Sequence, residues 1–143
     1  MQHQRQQTIL IAENNAADAF LLRRAFRKAD LPCQLRFVAD GQEALTYIQG
    51  NAPYTDRDIF PRPALLLLDL DIPLVTGFDV LRWLKANPAF NHLPVVILSS
   101  SATETDKALA ATLGARGYYV KSVDPVDSVN MFKELGKQWL DPK

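Results

Sequence analysis

Cysteine and histidine are scarce. Cys33 stands alone, and His3 and His92 lack ligand-like spacing, so the sequence supplies neither an internal disulfide nor a Cys/His metal cluster. Cys33, following Pro32, reads as a buried structural thiol, and neither histidine reads as catalytic. An excess of one charge is also missing. Lys plus Arg and Asp plus Glu are both 16, which leaves no surplus positive charge for a sequence-independent grip on phosphate backbones and excludes nucleic acid as an expected partner. No long hydrophobic run occurs. The longest, Ala64 to Leu68, falls far short of the roughly 20 residues that span a bilayer, so no membrane is expected. The start, Met1 to Gln7, is polar and glutamine-rich, without the apolar centre and cleavage site of a secretory signal. The reading is a cytoplasmic protein with a flexible polar tail over residues 1–7 and one domain over residues 8–143.

What is present is alternation. Short apolar runs alternate with longer amphipathic stretches, the pattern of βαβ units and of a parallel sheet covered on both faces. Strands are predicted at Thr8 to Ala12, Leu35 to Val38, Ala64 to Leu68, Leu93 to Leu98 and Gly117 to Lys121. The first helix is predicted to face inward through Phe20, Leu22, Ala25, Phe26 and Ala29, and to end at Leu31-Pro32. A short second helix carries Ala44, Leu45 and Ile48 and closes at Gly50. Gly77 opens the third, with Phe78, Leu81 and Leu84 inward, and Thr103 to Leu113 makes an alanine-rich fourth capped by Gly114. Asp124-Pro125 starts the last, with a stripe of Val126, Val129, Phe132, Leu135 and Trp139. Between the second helix and the third strand, residues 52–63 (APYTDRDIFPRP) read as an ordered surface loop with extended backbone.

In open α/β sheets, ligands bind outside the carboxyl ends of the strands. The polar residues collect there: Glu13 and Asn14 after the first strand, Asp69 and Asp71 after the third, Ser99 after the fourth, Lys121 after the fifth. Carboxylates converging within ~4 Å repel by about 4 kcal/mol per pair at an effective dielectric near 20, so such a set needs a cation. Oxygen ligands without His or Cys favour Mg²⁺, which takes one or two carboxylates, keeps several waters and accepts a phosphate oxygen. With a lysine and a serine hydroxyl opposite, the set is suited to stabilising a phosphoryl group in transfer, and a carboxylate is an adequate nucleophile for an aspartyl phosphate.

Four segments, ILIAENN, LLLLDLDIPLVTGFDVL, LPVVILSSS and GYYVKS, in this order and spacing, resemble the receiver domains of two-component response regulators, over about Thr8 to Trp139. The loop containing DRDIFPRP and the ending near Trp139-Leu140 are similar, more narrowly, to the small regulators paired with cyanobacterial phytochrome histidine kinases. The resemblance implies a CheY-like, flavodoxin-like fold: a doubly wound parallel sheet of five strands, order 2-1-3-4-5, with five helices. It implies Asp69 as phosphoacceptor, Glu13 and Asn14 at the acidic pair, and Mg²⁺ held by these and by the backbone carbonyl of Asp71. It also implies Ser99 as switch hydroxyl, Lys121 as active-site lysine, and Tyr118 as the aromatic whose rotation reports phosphorylation. The expected partners are a histidine kinase, a phytochrome on the narrower resemblance, and a downstream protein. The chain would then be a phosphoacceptor signalling protein rather than a turnover enzyme.

The chain departs from the family's usual pattern at Asn14, where a carboxylate is usual, and at Ser122, where a proline usually follows the lysine. Such changes also occur in phosphorylation-independent pseudo-receivers. A haloacid-dehalogenase-type phosphatase shares the Asp-Leu-Asp after a buried strand, but that family places this strand first and further acids after the lysine. A flavin-binding domain of the same topology needs a hydroxyl-rich phosphate loop after the first strand, which is absent. Finally, Tyr118, Tyr119, Phe132 and Trp139 lie on edge elements, from which a homodimer through the fourth helix, fifth strand and last helix is expected.

Overall fold

Leu65–Leu68, buried on both faces, is the centre around which the chain is wound. The computed structural model describes residues 7–140. In chain order the elements are β1 (Gln7–Ala12), α1 (Ala16–Ala29), β2 (Cys33–Val38), α2 (Gly41–Gln49), β3 (Leu65–Leu68), α3 (Gly77–Ala86), β4 (Val95–Ser99), α4 (Glu104–Thr112), β5 (Gly117–Val120) and α5 (Pro125–Trp139). The five strands pair in parallel in the order β2-β1-β3-β4-β5, as expected for a doubly wound sheet. The expected tail lies outside the described residues except for Gln7, which pairs with Cys33 and so belongs to β1.

Alternation along the strands divides the core in two. Leu10, Ala12, Leu66, Leu68, Val95 and Ile97 face one side, where α2 and α3 supply Ala44, Leu45, Ile48, Val80, Leu81 and Leu84. Ile9, Ile11, Leu65, Leu67, Val96 and Leu98 face the other, covered by α1 and α5 through Leu22, Ala25, Met131, Phe132 and Leu135. Phe26 meets Phe132 edge-on, with ring centroids 5.5 Å apart, which locks these two helices together.

Two inward assignments need correction. Phe20 is 57% exposed, because the buried stripe of α1 runs through Ala19, Leu22, Ala25 and Ala29, one residue out of phase with it. Val126 is 60% exposed in the first turn of α5, whose buried residues are Met131, Phe132 and Leu135. Phe78 is half-buried and packs against the core beside Val80, Leu81 and Leu84 of α3. The loop over residues 52–63 is ordered but not extended. Backbone bonds from Tyr54 to Asn51 and from Phe60 to Asp56 fold it into turns, and Arg57 pins it by donating to the carbonyls of Tyr47, Ile48 and Phe60. Cys33 is buried as expected, and burial pushes its thiol pKa up to about 11.

Candidate functional site

The sheet's own hydrogen bonding runs one residue past the strand ends and carries the site residues with it. Glu13 N–H donates to the Val38 carbonyl at 3.0 Å, Asp69 N–H to Ala12 at 3.2 Å, and Lys121 N–H to Ser99 at 2.8 Å. Three side chains from β1, β3 and β5 are thereby fixed at one edge on rigid backbone. Their heads meet. Lys121 Nζ lies 2.9 Å from Glu13 Oε1 and 2.9 Å from Asp69 Oδ2. A third carboxylate, Asp18 in the first turn of α1, accepts from the same nitrogen at 2.9 Å.

The second oxygens of Asp69 and Glu13 are also held. Asp69 Oδ1 accepts from the Asp71 N–H at 3.0 Å, and Glu13 Oε2 accepts from the Asn15 N–H at 3.0 Å. The Glu13 and Asp69 side chains are almost wholly buried. For Glu13 burial raises the carboxyl pKa, and the hydrogen bonds from Lys121 and Asn15 oppose it only in part. For Lys121 burial disfavours the charge, but bonds to Asp18, Asp69 and Glu13 outweigh it and hold the ammonium pKa above the usual lysine range.

Of the other expected residues, Ser99 is fully buried at the end of β4, its hydroxyl accepting from the Ser101 N–H at 3.1 Å. Tyr118 is half-buried and donates through its hydroxyl to the Ser101 carbonyl at 2.8 Å, so Ser101 links the two residues expected to switch. The side chains of Asn14 and Asp71 lie exposed at the rim, outside the cluster. Ser122 donates to Asp127 at 2.7 Å and accepts from the Asp124 N–H at 3.1 Å, so its hydroxyl ties the turn after Lys121 to the start of α5. Asp18 was not legible as a site residue, since an acid in a helix's first turn already has a reason to be there in the helix dipole.

The loop that follows Asp69 is seated on two glycines. A Cβ on Gly77 would stand 2.6 Å from the Asp69 carbonyl oxygen and 2.7 Å from Leu70 Cα, and one on Gly41 would stand 1.7 Å from the Val75 carbonyl oxygen. A side chain at position 77 would displace the backbone of Asp69 and Leu70, and one at position 41 the backbone of Val75 further along the same loop.

Among the described residues, no three His, Cys, Asp or Glu side chains are gathered as a ready metal cage. The donor set still fits a hard divalent cation. Mg²⁺ asks for one or two carboxylates and retains its waters, and two buried carboxylates from neighbouring strands meet here around a positive charge.

The geometry agrees with what similar proteins are. A sequence model of the response regulator receiver domain matches residues 9–133. Response regulator Rcp1 of Synechocystis is 32% identical over 93% of this chain and 88% of its own length. Its Mn²⁺-bound crystal structure superposes with a TM-score of 0.81 at 31% identity, over 96% of both chains. The response regulator RPA3017, from red light signalling in R. palustris, matches with a TM-score of 0.89 at 35% identity, over 94% of both chains. The phosphorylated cyanobacterial phytochrome response regulator RcpA matches at 0.83 and 32%, also over 94% of both. Sequence match, strand order and the lysine-centred carboxylates at the sheet edge agree: the chain belongs to the response regulator receiver family, as a CheY-like signalling domain homologous to phytochrome response regulators.

Proposed function

We propose that this receiver accepts a phosphoryl group on Asp69 from a histidine kinase, a phytochrome in view of its relatives, and signals through protein contacts in the cytoplasm. The observation that carries this is the buried Asp69 carboxylate, with one oxygen on the Asp71 N–H and the other on the Lys121 ammonium. Both oxygens are oriented before any donor arrives, so transfer needs little rearrangement of the nucleophile. An Asp69 oxygen attacks phosphorus, and the new O–P bond forms as the bond from phosphorus to the kinase's histidine nitrogen breaks, the electron pair leaving on that nitrogen. The Lys121 ammonium and the Ser99 hydroxyl supply positive charge and a donor to the equatorial oxygens. Glu13, Asp69 and the Asp71 carbonyl, with Asn14 alongside, would hold Mg²⁺, which when bound neutralises charge on the phosphoryl oxygens. Rotation of Tyr118, now held by Ser101, reports the phosphorylated state.

A homodimer through α4, β5 and α5 is part of the same proposal. β5 is an edge strand and only half-buried, and α4 buries Ala110 alone. Val120 is 40% and Val123 fully exposed beside it. Phe132 no longer supports this surface, since it lies at 0% exposure in the core, whereas Tyr118, Tyr119 and Trp139 are half-buried. Sedimentation that shows only monomer at tens of micromolar, with and without phosphorylation, would remove the dimer from the proposal.

Incubation with a small acyl phosphate and Mg²⁺, followed by mass spectrometry, tests the phosphoacceptor. The native chain should carry a phosphoryl adduct on Asp69, and Asp69→Asn should carry none while keeping its fold. Adduct formation on that variant at the native rate would overturn the assignment. Release of phosphate with no adduct would indicate a phosphatase, and neither would indicate a pseudo-receiver.

A further inference from the structure

We infer that Asp18 is a positioning residue for phosphoryl transfer, holding the Lys121 ammonium in place while the lysine's other two partners are engaged by the reaction. This rests on Asp69 being the phosphoacceptor. An ammonium has three protons, and those of Lys121 have three carboxylate acceptors at 2.9 Å, each on a different element. Two of the three change during transfer. Asp69 loses its carboxylate charge on becoming an acyl phosphate, and Glu13 would share its charge with a bound divalent cation. Asp18 alone stays committed to the lysine throughout.

Asp18 is itself well anchored. Its N–H donates to Asn15 Oδ1, the N-cap of α1, at 2.9 Å, and the Asn15 N–H donates to Glu13 Oε2 at 3.0 Å. Together with the two lysine bonds this closes a ring: Glu13, Asn15, Asp18, Lys121 and back to Glu13. The ring needs such a tether, because Lys121 has somewhere else to go. A cleft of about 210 Å³ between α1 and α5, bordered by Leu98, Tyr119 and Met131, runs beside it. Ser122 follows the lysine where a proline would have confined its backbone, and the Ser122 hydroxyl reaches only Asp124 and Asp127. Asp18, at 38% side-chain exposure on the cleft's lip, is the residue that closes this exit.

A simpler role for Asp18, complementing the dipole of α1, would act without the lysine, and a double-mutant cycle separates the two. The maximal rate and half-saturating concentration for Asp69 phosphorylation by acetyl phosphate are measured with excess Mg²⁺. The set comprises the native chain, Asp18→Asn, Asp18→Glu, Lys121→Met and Asp18→Asn/Lys121→Met. We expect Asp18→Asn to lower the maximal rate about tenfold, the effect of losing one charge-assisted hydrogen bond, and to shift half-saturation less than about twofold. Asp18→Glu keeps the charge and should stay within about threefold of native. In the Lys121→Met background, Asp18→Asn should change the rate less than about twofold. A native-like maximal rate in Asp18→Asn, a tenfold loss in Asp18→Glu, or an undiminished loss without the lysine each overturns the inference. If Asp18→Asn does not fold, the Asp18→Glu arm decides by the same limits. Absence of any Asp69 adduct on the native chain instead removes the phosphoacceptor reading, and this inference with it.

Discussion

Replacing Lys121 by Met should destabilise the fold through charge rather than through packing, and the size of the effect follows from the geometry. Glu13 Oε1 and Asp69 Oδ2 each lie 2.9 Å from Nζ, so they can be no further apart than twice that distance. At that limit, with an effective dielectric near 20, two unit charges repel by about 3 kcal/mol. The native ammonium offsets this repulsion, and methionine keeps the stem's apolar contacts but not the charge. Asp18 adds less, because it is partly exposed and its interactions are screened. A loss of about 3–4 kcal/mol at pH 7 is expected, in the range for breaking a buried ion pair and a large share of the 5–15 kcal/mol that stabilises a typical domain. Burial already holds the Glu13 carboxyl pKa above its usual range, and removing the ammonium that lowers it raises it further, so the folded variant binds this proton more tightly than the unfolded one. The variant's deficit is therefore smallest below about pH 4, opens as pH rises through the raised folded value of Glu13, and levels off above it. Urea denaturation of both proteins from pH 4 to pH 8 in chelator, with m-values compared, measures this directly. Added Mg²⁺ should narrow the gap at pH 7. A deficit below about 1 kcal/mol that neither pH nor Mg²⁺ changes would refute the reasoning.

Gly77→Ala places a methyl 2.6 Å from the Asp69 carbonyl oxygen; the expected cost is about 1–3 kcal/mol in urea denaturation, with Asp69 phosphorylation at least about threefold slower. An unchanged rate would show that the loop absorbs the shift without moving Asp69. Cys33, whose thiol pKa is pushed up to about 11 by burial, should react with iodoacetamide at pH 8 at least about 100-fold more slowly in the folded chain than in urea. A ratio below about ten would contradict its burial.

The sheet was legible because burial on both faces leaves little choice of residue. Ala64 to Leu68 read as the middle of the sheet and Leu93 to Leu98 as the fourth strand from their apolar runs, within one or two residues of the observed Leu65–Leu68 and Val95–Ser99. Helix faces were less certain, since an apolar stripe a hundred degrees wide admits its neighbours, and Phe20 and Val126 passed as inward residues for that reason. The ends of the strands were legible as a site through residue type, and Glu13, Asp69, Ser99 and Lys121 could be named one by one. What could not be read is convergence. Asp18 and Lys121 are 103 residues apart in sequence, and only the return of β5 to the sheet edge brings one to the other. The Ser122 hydroxyl likewise gained its meaning from the first turn of α5, which places Asp127 within reach.

The exposed amide at Asn14 then has a physical setting. Three carboxylates, Glu13, Asp18 and Asp69, face one ammonium at this edge, which leaves two negative charges, the complement of one divalent cation. Position 14 is exposed and outside that cluster, so a carboxylate there would be screened by solvent and add little to the repulsion within it. The third carboxylate of the cluster is Asp18 on α1, four residues further along the chain than Asn14. Its place decides what the charge can do. A carboxylate beside Glu13 would face a cation, whereas Asp18 faces the lysine, so the set gives up some direct attraction for the cation and gains a fixed ammonium. Positioning of charge, more than its total, governs phosphoryl transfer, and in this chain the residue after the lysine is a serine that leaves that positioning to the side chains around it.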